Sequence, residues 1–342
     1  MHSQSTTSAI KSIMRPIWNE PIVHASAWAG AGIGGKGGLV RRLGEPHLAA
    51  LEVVLQKTQS LLPQAVEREQ FDHPLLNRFL ADIRRDIIHG RGVVVIQGLT
   101  LDRFTLDELE RIYWGFGTHW GIAAAQSVDG DRIGRVRIDP NNPKDSGYQS
   151  ARELAFHNDA YELLGLMCIE NADHGGCTRL VSALSIYNEI LRSRPDLLPA
   201  LYQGFPYATE ATDTTITAIS IPVFSCVEGK ISCMYLPRYM RKAAALMNTS
   251  IPSDLEEALQ FFEQTSMRDD LVVEFSLEPG EMLICHNYTN LHARTEFTDG
   301  GVKRRYLLRL WLSVPDGRPF DPALLERSAI YDRLLQKSPV GR

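Results

Sequence analysis

The spacing of apolar residues changes character along the chain. In the segments 47–60 (HLAALEVVLQKTQS) and 75–89 (LLNRFLADIRRDIIH) apolar positions return every three or four residues, which predicts two amphipathic helices. Gly90-Arg91-Gly92 ends the second, and the unbroken apolar run VVVIQGL, Val93 to Leu99, reads as a buried strand. Thr105, with Glu108 three residues on, is a capping-box pair and predicts a third helix through LDELERIYWGF. Residues 117–151 are irregular and polar, a strand followed by a long loop of the kind that lines binding sites.

From Leu154 the pattern becomes that of strands: LAFHNDAYELLGLMCIE, a turn at Asn171 to Gly176, then CTRLVSA. A helical stretch with Pro195 opening its second segment follows, then a hairpin over 221–236 that turns at Glu228-Gly229-Lys230. One more helix, Pro252 to about Gln264, precedes a strand at LVVEFSL. Alternation is cleanest in RRYLLRLWL, where Arg305, Leu307, Arg309 and Trp311 share one face and Tyr306, Leu308, Leu310 and Leu312 the other. Helices lead and antiparallel strands follow, so the expected fold class is α+β with a mainly β core, a sandwich or barrel with helices packed outside. Residues 1–20 read as a flexible N-terminal arm. Residues 21–342 read as a single domain with an N-terminal helical part (about 40–115) and a helical insert (about 183–220).

Composition narrows the field. Apolar residues make up 44% and charged residues 23% of 342, as in an ordinary globular protein. A net charge of -5 and the lack of a basic tract give no reason to expect nucleic acid as a partner. No run of about 18 apolar residues exists, so no membrane partner is expected. Five scattered cysteines without a CxxC spacing fit reduced thiols and a cytoplasmic location. The GxGxxG at Gly30, Gly32 and Gly35 lacks a preceding strand and an immediate helix, so it reads as a flexible surface loop rather than a dinucleotide site. No GxSxG or HExxH is present for a serine hydrolase or a zinc hydrolase.

Two arginines between leucines on one strand face need anions opposite them. His157 and Asp159, two apart in AFHNDAY, would share a strand face and could share a metal ion, which a remote second histidine would complete. Composition alone gives roughly 0.6 H-x-D triplets in such a chain, so the triplet carries little by itself. Its company carries more. FHND at 156–159, GGCT at 175–178 leading into VSALSIYNEI, PGEM at 279–282, NLHARTEFTD at 290–299 and RRYLLRLWL at 304–312 follow in order.

In these pieces the chain resembles the TauD/TfdA-like Fe(II)- and 2-oxoglutarate-dependent oxygenases, including the clavaminate synthase-like and γ-butyrobetaine hydroxylase-like branch, from about Ala27 to Pro319. The resemblance implies a double-stranded β-helix, or jelly roll, with flanking helices. It implies Fe(II) ligands at His157, Asp159 and His292. It also implies a hold on the distal carboxylate of 2-oxoglutarate by Arg305 and Thr178. Arg309 corresponds to a second arginine, near the other end of the cosubstrate or an acidic group of the substrate. A planar guanidinium forks onto a carboxylate, so the arginines and the dicarboxylate suit each other. Gln126 and Asn290 are candidates for lining the substrate pocket, and His286, a departure from the family pattern, reads as a histidine that supports the site or packs in the core. Asp159 argues against halogenation, which in the family goes with a small residue there.

The implied activity is oxidation, by default hydroxylation, of an unactivated C–H bond in a small metabolite such as an amino acid or a natural-product intermediate. O2 and 2-oxoglutarate would be converted to succinate and CO2. Desaturation, cyclisation or demethylation by the same machinery, and a non-catalytic metal-stabilised binding protein of the same fold, stand as alternatives. The pocket loops, which choose the substrate, are not decodable from sequence, and a homo-oligomer is left open.

Overall fold

The structure, a computed structural model, describes residues 15–127, 130–139, 141, 147–208, 215–300 and 303–337, with the backbone alone at 331 and 334–337. The chain opens with α1 (Gly30–Ile33) and β1 (Val40–Arg42), then runs through α2 (Glu45–Thr58) and α3 (Pro74–His89). It crosses the core as β2 (Val93–Gln97) before α4 (Leu106–Trp120). Short strands β3 (Ile122–Ala123) and β4 (Gly134–Val136) precede β5 (Leu154–His157), β6 (Leu163–Glu170), β7 (His174–Gly175) and β8 (Thr178–Ser182). A second helical region holds α5 (Ala183–Ser193), α6 (Leu198–Gln203), the hairpin β9 (Phe224–Val227) and β10 (Lys230–Cys233), α7 (Pro237–Leu246) and α8 (Ser253–Ser266). Strands β11 (Val273–Phe275), β12 (Met282–His286), β13 (Asn290–Arg294), β14 (Phe297–Thr298) and β15 (Tyr306–Ser313) complete the core, and α9 (Leu325–Lys337) follows.

Two sheets face each other. The larger has the order β1-β2-β12-β6-β15-β3, with β4 also on β15, and the smaller the order β11-β8-β13-β5. The strands that make up the expected jelly roll are β2, β12, β6 and β15 against β11, β8, β13 and β5.

The alternation in β15 sets the layers. Leu307 and Trp311 point inward, into a cluster with Val95, Leu164, Leu180 and Leu283 between the sheets. Leu308, Leu310 and Leu312 point outward and are covered by Leu76, Leu80, Ile112 and Phe116 of α3 and α4. The outer face of the smaller sheet is covered by α5 to α8 through Tyr187, Leu201, Phe262 and Leu291. Each such fully buried side chain contributes roughly 1.5–3 kcal/mol relative to exposure. The start of α4 is held as its sequence predicts: the Thr105 N–H donates to Glu108 Oε2 at 2.8 Å, and the Glu108 N–H donates to Thr105 Oγ1.

Some expectations change. The glycine-rich stretch is not a free loop. Gly30 and Ala31 donate backbone N–H bonds to Leu271 and Asp270, and a Cβ on Gly30 would lie 2.1 Å from the Val272 carbonyl oxygen. Trp28, Ile33 and Leu39 insert between the sheets, so the glycines serve a close backbone approach.

Of the arm expected over residues 1–20, residues 1–14 lie outside the described residues, and residues 15–20 are fastened down. Arg15 Nε pairs with Asp321 at 2.5 Å, and Tyr187 Oη donates to the Trp18 carbonyl at 2.5 Å. The helical region after Ser182 extends to Ser266, beyond the insert expected to end near 220, because the β9–β10 hairpin pairs with no other strand among the described residues and packs among helices.

Candidate active site

Strand pairing builds the site. His292 of β13 is the register partner of His157 at the end of β5, which sets the two rings 4.2 Å apart between centroids. The strand stops at His157, so Asp159 is placed by Asn158 between them. Asn158 is wholly buried, donates from Nδ2 to the Asn287 and Asn290 carbonyls, and accepts the Tyr235 N–H at 2.6 Å. That staple turns Asp159 back over the histidines. His157 Nε2 is 3.8 Å from Asp159 Oδ1, and His292 Nε2 is 3.7 Å from Asp159 Oδ2. Both gaps are too long for hydrogen bonds.

The three ligand atoms lie within 4.8 Å of one another, the only such group of His, Cys, Asp and Glu among the described residues. Their protonation suits a cation. Burial, reinforced by His157 and Arg309, pushes His292 down to about 3, and burial also lowers His157. Burial would raise the Asp159 carboxyl, but His292, Arg309, His157 and the Trp311 N–H together hold it at about 2. At neutral pH the site therefore offers two neutral imidazoles and one carboxylate. His157 Nδ1 lies 2.8 Å from the Ala155 carbonyl, a bond that leaves Nε2 as the free lone pair. Three convergent donors with no hydrogen bonds among them fit a metal ion.

His157 and Asp159 open onto a cavity of about 600 Å³, whose wall also includes Tyr148, Tyr207, Arg309 and Trp311. Arg309 is 7% exposed, stacked between the rings of Trp311 (3.8 Å) and Tyr148 (4.6 Å).

Neither expected pocket-lining residue reaches the cavity. Gln126 instead holds Arg309: its Oε1 accepts from Arg309 Nε at 2.7 Å and its Nε2 donates to the Arg309 carbonyl at 2.8 Å. Asn290 is buried in the framework. Its Oδ1 accepts from Trp28 Nε1 at 3.0 Å and its Nδ2 donates to the carbonyls of Gly92 and His286. Its amide is thus spent inside the framework, on the Trp28 indole and on backbone carbonyls of the turn leading into β13. His286 is likewise apart from the three donors, wholly buried with Nε2 3.2 Å from Glu162.

The profile of the family described as "Taurine catabolism dioxygenase TauD, TfdA family" matches residues 57–311. The chain belongs to the TauD/TfdA family. Among curated relatives, FR-33289 synthase of Streptomyces rubellomurinus is 28% identical over 326 residues, covering 91% of this chain and 96% of its own. Taurine hydroxylase-like protein SAT17 of Stachybotrys chartarum is 28% identical over 305 residues, covering 83% and 77%. Among solved structures, asparagine oxygenase in complex with Fe(II), 3-hydroxyasparagine and succinate superposes with a TM-score of 0.66 at 19% identity, covering 80% of this chain and 93% of that one. The core of this TauD/TfdA protein is accordingly the jelly roll, and the protein is a non-haem iron dioxygenase that uses 2-oxoglutarate.

The remaining TauD/TfdA motif residues gather at one end of the sandwich. Thr178 opens β8, paired with Arg294 of β13 and on the same inward face as Leu180. The GGCT turn needs its glycines. Gly176 has φ +71°, and a Cβ there would sit 3.0 Å from Arg305 Nε. Arg305 lies just before β15, 6% exposed, and no carboxylate of the described residues lies within 4 Å of its guanidinium. Burial first, then Arg294, lowers it to about 10.

Arg294 was not anticipated from the sequence. It is 5% exposed, donates from one terminal nitrogen to the Ser150 and Arg152 carbonyls, and leaves Nε and the other terminal nitrogen buried without partners. Both guanidiniums face the ring of Phe297, at 4.7 Å for Arg294 and 5.4 Å for Arg305. Two adjacent buried cations make a pocket for an anion. The H-A-R spacing after His292 was the available signal.

All five cysteines are free, and no helix of the described residues is long and apolar enough to cross a membrane.

Proposed function

We propose that His157, Asp159 and His292 hold Fe(II) on one face, that Arg305 and Thr178 hold the distal carboxylate of 2-oxoglutarate, and that the protein hydroxylates a C–H bond of a small metabolite. The convergence of three lone-pair donors, two of them (His157 and Asp159) in the wall of the cavity, carries this reading. Two histidines and one carboxylate leave open positions suited to Fe(II) and O2 chemistry. Bound there, the iron with 2-oxoglutarate and O2 supplies the oxidant, and 2-oxoglutarate leaves as succinate and CO2.

The protein's part is to bind, orient and exclude water. His157 is fixed by its bond to Ala155, Asp159 by the Asn158 staple, and His292 by packing. The buried guanidinium of Arg305 meets a carboxylate where water does not compete, and Arg309 presents a second positive charge at the cavity wall. A metal-stabilised binding protein would have no use for a buried Arg305 that has no carboxylate of the described residues within 4 Å of its guanidinium.

An amino-acid-derived or natural-product substrate is supported by the relatives, an asparagine oxygenase and FR-33289 synthase. The free thiols support a cytoplasmic setting, and residues 21–342 are best treated as one domain.

Anaerobic addition of Fe(II) and 2-oxoglutarate should give a visible charge-transfer band. O2 and the substrate found by a succinate-release screen over amino acids and their derivatives should give a product 16 mass units heavier, as insertion of one oxygen atom requires. His157→Ala should abolish both band and succinate while keeping the melting transition. Absence of the band in the wild type would overturn the reading.

A further inference from the structure

We propose that Trp311 is a positioning residue for the Asp159 carboxylate: its indole N–H occupies one oxygen, so that the carboxylate presents the other to the metal. The proposal rests on Asp159 being a metal ligand. Trp311 Nε1 donates to Asp159 Oδ2 at 2.8 Å, the one direct hydrogen bond from a side chain to this carboxylate among the described residues. Both oxygens lie near the histidines, Oδ2 3.7 Å from His292 Nε2 and Oδ1 3.8 Å from His157 Nε2, and Oδ1 alone carries no side-chain hydrogen bond among the described residues. A carboxylate can grip a metal through one oxygen or two. Two-oxygen binding would consume a position that a three-ligand face must keep open for cosubstrate and O2. An N–H donor committed to one oxygen disfavours that outcome and fixes the carboxylate's rotation.

The donor is itself immobilised. Trp311 is 6% exposed, and Tyr161 stacks on it at 5.5 Å with planes 28° apart. The Arg309 guanidinium lies 3.8 Å from its ring centroid. A cation over the face of an indole draws electron density from the ring and strengthens its N–H as a donor. Gln126 and Tyr148 hold that cation in place, and Tyr161 Oη reaches Asp332 of α9 at 2.5 Å. One ordered column, Tyr148–Arg309–Trp311–Tyr161, thus ends on the carboxylate. Gln126 and Arg309 act on Asp159 through Trp311 whatever else Arg309 binds.

Co(II) is the probe, since its binding can be read without turnover. The wild type should bind Co(II), and Asp159→Ala should abolish that binding; a wild type that binds none overturns the ligand assignment itself. Two changes at 311 then test the inference: Trp311→Phe, and β-(3-benzothienyl)alanine, which keeps the bicyclic shape and lacks the N–H. Both should weaken Co(II) about 10- to 100-fold, with the metal-free melting temperature of the isostere unchanged. Affinity of the isostere within about threefold of wild type overturns the proposal, even if Trp311→Phe fails to fold.

Discussion

At the scale of single residues, the site depends on protonation states set by burial. His292 titrates at about 3 in the fold and 6.5 when free, and Asp159 at about 2 against 3.8. Between the folded and free values the unfolded chain binds more protons than the native one. Each group therefore makes stability rise with pH across its own window, and both contributions are complete above about pH 6.5. The melting temperature of the metal-free protein should fall as pH drops below 6.5, and His292→Gln should fall less steeply. Because the donors are already deprotonated at pH 7, Co(II) binding there should release less than about half a proton, read by calorimetry in two buffers of different ionisation heat. Release of a full proton would show that a ligand histidine is charged in the metal-free site.

The sequence made His157, Asp159, His292, Thr178, Arg305 and Arg309 legible as candidates because their order and spacing are local facts. What Asn158, Arg294 and Trp311 do was not legible. Each acts through a partner far along the chain: the carbonyls at 287 and 290, those at 150 and 152, and the carboxylate at 159. Gln126 and Asn290 were misplaced for the same reason, since an amide's polarity says that it needs partners but not whether they are substrate or backbone.

At the scale of elements, β15 serves two layers, and its alternation separates their tasks. The inward residues Arg309 and Trp311 face the cavity and the Asp159 carboxylate, while the outward Leu310, 1% exposed, packs under α4 beside Gly117. Leu310→Ala should cost about 2–5 kcal/mol in denaturant unfolding and leave Co(II) affinity unchanged. A loss of affinity without a loss of stability would mean that the outer face controls the inner. This period-two strand and the helices α2 to α4 could be read from the chain, because each buries one face against one neighbour. The β9–β10 hairpin was legible as a hairpin and not as part of a helical layer. Period and turn chemistry fix a hairpin locally, whereas its neighbours depend on which apolar surface remains uncovered.

At the scale of the whole molecule, the jelly roll holds two buried charges that pair with no carboxylate among the described residues. Arg305 and Arg294 sit at one end of the sandwich, 6% and 5% exposed, each lowered to about 10 by burial. A buried cation without an anion costs several kcal/mol, and replacing it with an apolar residue of similar length removes that cost. On the proposed assignment of Arg305, the ligand-free protein carries a strain that the distal carboxylate of 2-oxoglutarate would relieve. Millimolar 2-oxoglutarate with Co(II) should raise the wild-type melting temperature beyond the effect of Co(II) alone, since a ligand that binds only the native state stabilises it. Arg305→Met should melt higher than wild type in the absence of ligand, by on the order of 2 °C per kcal/mol recovered, and should show no added shift with 2-oxoglutarate. If Arg305→Met melts lower, the guanidinium is compensated inside the fold and its conflict with burial is not what tunes it for the cosubstrate. A higher melting temperature together with lost cosubstrate response would place Arg305 among residues kept for binding at the expense of stability.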